Sequence, residues 1–363
     1  MIQRPPADIG QKLEEVDTPA LILDLDGFER NQKTLFDLVK GRVRVRPHAK
    51  THKSPDVAQR QLALGAVGMC CQKVSEAEAM VDGGVHDVLI SNEIVGAPKL
   101  ARLAELSRRA KLGICVDHAD NVRAIAATGA KLEVYIEIDV GMRRCGVAPG
   151  RPAVDLAKSI LQHPHLRFAG LQAYHGRAQH IRSMEERHAV IETAAQHVQH
   201  TKRLLAEAGI ACPIVTGAGS GTFMLEVEAG AWDEIQCGSY AFMDVDYAKN
   251  EWAAPLPRFE HALFVLSTVM SRPSPEVAIV DAGLKASSVD SGMPGVWQKD
   301  LRYTHASDEH GWVEGKSVPA LGEKLLLVPG HCDPTINLYD WYVCIRGGFV
   351  AELWPITARG ALY

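Results

Sequence analysis

Lys50 closes an alternating run, RVRVRPHAK (residues 42–50). Read as a strand, it puts Arg44, Arg46, His48 and Lys50 on one face, and Val43, Val45, Pro47 and Ala49 on the other. A file of cations on a strand is either solvated or gathered around an anion. Burial and neighbouring positive charge both lower an amine pKa. That environment makes Lys50 a nucleophile suited to Schiff-base chemistry, with Lys53 one turn further on as support. A second grouping is His331-Cys332-Asp333. In an extended segment, residues i and i+2 project to one side, so His331 and Asp333 can share an ion while Cys332 faces away. A bulge would instead bring the thiol in. An imidazole with a carboxylate suits Mn²⁺, Mg²⁺, Co²⁺ or Zn²⁺ and leaves most coordination positions open.

Something must hold these residues together. From residue 43 to 240, short apolar runs alternate with helical stretches: VRVRPHAK, GMCCQK, DVLISN, KLGICVD, EVYIEID, FAGLQAYHG, IVTGAGS and EIQCGSY. The segments between them are amphipathic, and the longest, EERHAVIETAAQHVQHTKRLLAEAG, ends in Gly209 as a helix C-terminus does. Eight strand–helix alternations predict an α/β fold, a (β/α)8 TIM barrel. An open doubly wound sheet is disfavoured because no GxGxxG follows the first strand. After about residue 250 the runs HALFVLSTVMSR, EVAIVDAG, KLLLVPGH and WYVCIRGGFVAELWPIT are strand-like and lack helical periodicity. They predict a β-sheet domain, 249–363, joined by residues 1–26, whose TPALILDLD run reads as a strand; the barrel then spans 27–248.

Chemistry in such a barrel gathers at the C-terminal strand ends. Those ends carry His48 and Lys50, Gln72, Asp139 with GMRRCG, Tyr174 and His175, and two small-residue turns, TGAGSGT (216–222) and GSY (238–240). Backbone N–H groups and hydroxyls of such turns can cradle a phosphate, and the loops after strands seven and eight are the usual place for it. An activated lysine beside a phosphate cradle points to pyridoxal phosphate.

Bulk properties narrow the partners. The 363 residues are 47% hydrophobic and 23% charged, with a net charge of -5, so no general field draws in nucleic acid. No apolar stretch approaches the roughly 20 residues of a membrane span, and the N-terminal residues lack a signal-peptide core. Eight cysteines without a CxxC pair are expected to be reduced thiols of a cytoplasmic protein.

The motifs RPHAKTHK, CCQKVSEAE, IEIDVGMRRCGV, LQAYHG, TGAGSGT, QCGSYAFMDVDY and PGHCDPTINLYD run in order along nearly the whole chain. Together they resemble the D-threonine aldolase group of the fold-type III, alanine racemase-like enzymes, a group that includes 3-hydroxy-D-aspartate aldolases and is related to eukaryotic-type D-serine dehydratases. The resemblance implies a pyridoxal phosphate and metal-dependent aldolase. It cleaves a D-β-hydroxy-α-amino acid to glycine and an aldehyde, with Mn²⁺ the first expectation among the divalent ions. It places Lys50 on the cofactor, Arg144 at the phenolate oxygen and Tyr174 at the ring nitrogen. Gln72 lies beside the cofactor, and Ser220, Gly221, Thr222, Gly238, Ser239 and Tyr240 are expected at its phosphate. His331 and Asp333 hold the metal and His180 is the base, with His175 in support. Asp308, Glu309 and His310 are expected to bound the substrate or orient the metal shell.

The D-serine dehydratase relatives carry H-x-C where this chain has His331-x-Asp333, which favours the aldolase branch. D-threonine is the first expected substrate. 3-Hydroxy-D-aspartate would require an additional arginine, for which Arg143 and Arg177 are available, and D-serine dehydration is the third alternative. A non-catalytic pyridoxal phosphate carrier would leave residues 250–363 without purpose. Relatives of this type are commonly homodimers, which is the expected state here.

Overall fold

The computed structural model describes residues 3–252, 258–298 and 300–363. β1 (Ala20–Asp24) leads into a helix, Leu25–Val39. Eight strands then follow: β2 (Arg44–Val45), β3 (Met69–Cys71), β4 (Asp87–Glu93), β5 (Lys111–Val116), β6 (Leu132–Glu137), β7 (Leu166–Ala173), β8 (Ile214–Gly217) and β9 (Glu234–Ile235). All pair in parallel, in the order β2-β9-β8-β7-β6-β5-β4-β3. A parallel bridge between His48 and Cys70 closes the ring, supported by the Val67 N–H donating to the Val45 carbonyl at 2.9 Å. The expected eight-stranded barrel is present, with each strand where the apolar runs placed it.

Helices cover the outside for local reasons. The longest, Met184–Glu207, is capped by Ser183, whose hydroxyl accepts from the Glu186 N–H at 3.4 Å. Glu185 and Glu186 in its first turn complement the helix dipole. Its buried stripe of Ile191, Ala194, Ala195, Val198 and Leu205 packs on the barrel, and Gly209 (φ +71°) lets the chain turn away.

The strand carrying the first cations is shorter than its alternation suggests. It ends at Val45, and residues 49–52 form a helical turn capped by His48, so Lys50 is displayed by that turn and not by a strand face. Arg46 differs too. Expected in the barrel beside an anionic cofactor, it is indeed enclosed in the barrel, but its partners are carboxylates, with Nε 2.9 Å from Glu234 and Nη1 2.7 Å from Asp87. A guanidinium removed from water requires such partners, and the two carboxylates fix it inside the wall. Cys70, Leu89, Cys115, Tyr135 and Ala169 fill the remaining interior.

The second unit comprises β10 (Leu263–Ser274), β11 (Val277–Val280), β12 (Gly295–Val296), β13 (Leu301–Ala306), β14 (Gly311–Gly315), β15 (Lys324–Val328), β16 (Trp341–Arg346) and β17 (Phe349–Pro355). Its main path is β13-β14-β11-β10-β1-β16-β17, with β15 pairing β10 and β12. β1 lies antiparallel to β10 and parallel to β16, so the early TPALILDLD run does enter this sheet. Gly347 (φ +59°) and Gly348 (φ +84°) make the two-residue turn joining β16 to β17. β12, β13 and β14 fall where no strand was read from the sequence.

Both units share one core. Val45, Phe223 and Tyr240 of the barrel pack in one cluster with Leu263, Tyr342 and Trp354 of the sheet. The Phe242 ring stacks between Phe28 and Tyr342, with centroids 5.9 and 5.8 Å away. Among the described residues, no helix is long and apolar enough to cross a membrane.

Candidate active site

A cavity opens among the C-terminal ends of the barrel strands. Lys50, Gln72, Arg144, Tyr174, His180, Ser220, Gly238, Ser239, His331 and Asp333 all line it, together with His48 and Gly219. The proposed amine and the proposed metal pair therefore face one space, although about 280 residues of chain separate them.

Lys50 sits on the Ala49–His52 turn, its backbone N–H donating to His48 Nδ1 at 3.3 Å. Burial and the Lys50 charge push His48 well below the usual imidazole pKa. The expected fall in the Lys50 pKa is not what the structure gives. Burial lowers it, but the Tyr174 phenol and the Asp333 carboxylate outweigh that and hold it above the ordinary lysine value. The nearby cations are adjacent in sequence, whereas the Asp333 carboxylate comes from across the cavity.

The phosphate turns divide into groups that reach the cavity and groups that support them. Ser220, Gly238 and Ser239 are in its wall, and a Cβ on Gly238 would stand 2.3 Å from Thr51 Oγ1, so only glycine fits there. Gly221, Thr222 and Tyr240 are not brought to the cavity. The Gly221 N–H donates to Gln179 Oε1 at 2.9 Å, and the Thr222 hydroxyl donates to Glu226 at 2.7 Å. Tyr240 is buried, its hydroxyl donating to Gln32 at 2.5 Å, while its N–H donates to the Ser220 hydroxyl at 2.9 Å. These three shape the turns from behind, because side-chain direction in a tight turn follows local φ/ψ and not a two-residue period. The cradle, Lys50 and the Arg144–Tyr174 pair, with the guanidinium carbon 5.6 Å from the ring centroid, fit a pyridoxal phosphate.

The His331-Cys332-Asp333 segment is extended only at His331; Cys332–Ile336 is a short helix. His331 and Asp333 nevertheless both reach the cavity. Asp333 Oδ1 is buried without a hydrogen-bond partner, and His331 Nδ1 lies 2.8 Å from Asp290 Oδ2, which puts the ring proton on Nδ1 and leaves the Nε2 lone pair free for an ion. A bare carboxylate oxygen beside an imidazole oriented by a second carboxylate fits a divalent cation. Cys332 is turned into the core, where its thiol donates to the Met243 carbonyl at 3.2 Å and burial holds it well above the usual thiol pKa.

Several candidates lie elsewhere. Arg143 and Arg177 do not line the cavity, nor do Asp308, Glu309 and His310, which form the β13–β14 hairpin turn. His175 stays buried behind the wall, its Nδ1 accepting from the Ala178 N–H at 3.2 Å. Other residues had no local signal. Asp290, Gln179 and Asp246 reach His331, Gly221 and His180 through side-chain bonds from far away in sequence. Glu137 stands 3.5 Å from Arg144, and burial together with Glu93 pushes its pKa up to about 8. Next to it, Glu93, Asp117 and Cys145 bring donor atoms within 4.8 Å of one another, a second group of metal-ligating types that the sequence reading did not single out.

Comparison with known proteins matches residues 23–246 to the alanine racemase N-terminal domain and residues 262–345 to a putative serine dehydratase domain. The chain is 48% identical over 365 residues to a D-threonine aldolase of an Arthrobacter species, covering 98% of this chain and 96% of that one. The chain belongs to the D-threonine aldolase and 3-hydroxy-D-aspartate aldolase group of the alanine racemase-like family. A 3-hydroxy-D-aspartate aldolase of Paracoccus denitrificans (strain Pd 1222) is 46% identical over 371 residues, covering 99% and 96% of the two chains. The crystal structure of D-threonine aldolase from Filomicrobium marinum superposes on this family member with a TM-score of 0.97 at 51% identity, covering 99% of this chain and 100% of that one.

Proposed function

We propose that the protein cleaves D-configured β-hydroxy-α-amino acids, D-threonine foremost, to glycine and an aldehyde. The reading rests on one observation: Lys50 and the His331–Asp333 pair line the same cavity. When bound, pyridoxal phosphate supplies the electron sink for the breaking Cα–Cβ bond, and a divalent ion the Lewis acidity that eases loss of the β-hydroxyl proton.

Each remaining task falls to a residue of the chain. Lys50 carries the cofactor and later delivers a proton to Cα of the product. Ser220, Gly238 and Ser239 hold the phosphate, Arg144 the phenolate oxygen and Tyr174 the ring nitrogen, with Gln72 beside them. His331 and Asp333 would hold the ion, with Asp290 fixing the imidazole. His180 Nε2 takes the β-hydroxyl proton. D-Threonine is favoured over 3-hydroxy-D-aspartate because, among the described residues, the cavity wall carries one guanidinium, Arg144, already assigned to the cofactor. The inward turn of Cys332 favours cleavage over the dehydration alternative.

Product analysis on D-threonine, 3-hydroxy-D-aspartate and D-serine tests the proposal. Acetaldehyde and glycine should form from D-threonine and not from L-threonine, with kcat/KM above that for 3-hydroxy-D-aspartate. Lys50→Ala should lose the visible absorption of a lysine-linked cofactor. Keto-acid release from D-serine as the fastest reaction, or an unchanged band in Lys50→Ala, would overturn the reading.

A further inference from the structure

Asp246 has no part in the scheme above, yet it is 5% exposed and makes the shortest polar contact to the proposed base. Its Oδ2 lies 2.5 Å from His180 Nδ1, and Arg182 donates to its Oδ1. Arg182 is itself fixed, donating to the Asp246 carbonyl at 2.7 Å and to Asn250 Oδ1 at 2.6 Å. The Tyr247 ring packs against the imidazole with centroids 5.5 Å apart. Although burial opposes it, the bonds from Arg182 and His180 hold the Asp246 carboxyl below the usual carboxylate range, so it is ionised at neutral pH. An ionised carboxylate only accepts hydrogen bonds, so the contact requires the proton on Nδ1 and leaves Nε2 free to act as a base.

The segment holding Asp246 also holds the metal turn. The Val245 and Asp246 N–H groups donate to the Pro329 and Gly330 carbonyls at 3.0 and 3.3 Å, and Asp244 Oδ2 accepts from the Cys332 N–H at 3.0 Å. We propose that Asp246 is a positioning residue for the cleavage: it fixes His180 in the Nδ1–H tautomer, aims Nε2 into the cavity, and ties the base to the turn bearing His331 and Asp333. This rests on the reading of His180 as the base. Nε2 accepts the hydroxyl proton as the Cα–Cβ electrons leave, Asp246 stabilises the resulting imidazolium, and the proton passes to water from a ring whose side chain is 46% exposed.

Two measurements on the holoenzyme test this. In ¹⁵N-resolved spectra, with the His180 signals identified by their loss in His180→Gln, the wild-type ring should carry its proton on Nδ1. Asp246→Asn should move it to Nε2. Kinetically, Asp246→Asn should lower kcat for D-threonine by about 10²–10³-fold with KM changed less than about threefold. The double variant His180→Gln/Asp246→Asn should be no slower than His180→Gln alone, because the two residues act as one unit. An unaffected kcat in Asp246→Asn or multiplicative losses in the double variant would overturn the role of Asp246 while leaving His180 as base; a wild-type ring protonated on Nε2 would overturn both, because that nitrogen could not accept the hydroxyl proton. Full activity in His180→Gln would instead remove the base reading itself.

Discussion

Glu226 is enclosed behind the phosphate turn, with one carboxyl oxygen bonded by Thr222 and Oε2 without a partner. Burial pushes its pKa up to about 8. The unfolded chain releases this proton near the ordinary value of about 4.3. Between those two pH values the unfolded state binds fewer protons, so the stability present at acid pH is lost progressively as pH rises, until about 8. Glu226→Gln should remove that slope and raise stability near pH 7.5 by on the order of 4 kcal/mol. Urea unfolding at pH 5 and pH 8 checks it; parallel slopes in the two proteins would refute the assignment. At the proposed metal pair, Asp333→Ala removes the carboxylate whose Oδ1 lacks a protein partner. Competition with EDTA should show its affinity for Mn²⁺ falling at least tenfold, with cofactor absorption retained. Equal affinity in variant and wild type would show that Asp333 is not a ligand.

Among the elements, β7 carries the sharpest backbone constraint. Gly170 has φ +144° at an irregularity between β6 and β7, and a Cβ there would stand 1.8 Å from the Ile214 carbonyl oxygen of β8. Gly170→Ala should destabilise the protein by on the order of 3 kcal/mol, read as a lower urea midpoint, since the strand must shift against its neighbour. A midpoint within error of wild type would show that β7 yields freely. Elements of this kind divide what a sequence can reveal. The eight barrel strands are apolar runs bounded by turns, and Lys50, His331 and Asp333 stand in motifs a few residues long; local pattern suffices for these. Asp246 reaching His180, Asp290 reaching His331 and Glu234 neutralising Arg46 are contacts over 41 to 188 residues, which no short window records. A turn's composition does not state which way its side chains point, so it does not reveal that Thr222 and Tyr240 support the cavity from behind. β12 to β14 leave no clear strand pattern because they are short or interrupted by polar residues such as Arg302, Thr304 and His305.

Across the whole molecule, the barrel and the β-sheet unit bury a common apolar cluster, and side-chain-to-backbone links such as the Tyr342 hydroxyl donating to the His52 carbonyl at 2.7 Å join them. Two units with a continuous core should unfold together. Tryptophan fluorescence and far-ultraviolet circular dichroism should therefore give coincident urea transitions, although Trp297, Trp312, Trp341 and Trp354 all lie in the second unit. Two separated transitions would show that the units are energetically independent. By the same reasoning, a fragment limited to residues 27–248 exposes Phe242 and Tyr240 and should be recovered as aggregate.

The helical turn bearing Lys50 rests directly on the short helix that begins with Cys332 and carries Asp333. Under the roles proposed here, that contact is a gauge: it sets the span between the point where an amino group is gripped and the point where a hydroxyl is gripped. D-Homoserine, with its oxygen one carbon further out, should fail this gauge whatever its affinity for the rest of the cavity, whereas substituents attached beyond the hydroxyl-bearing carbon leave the gauged span untouched.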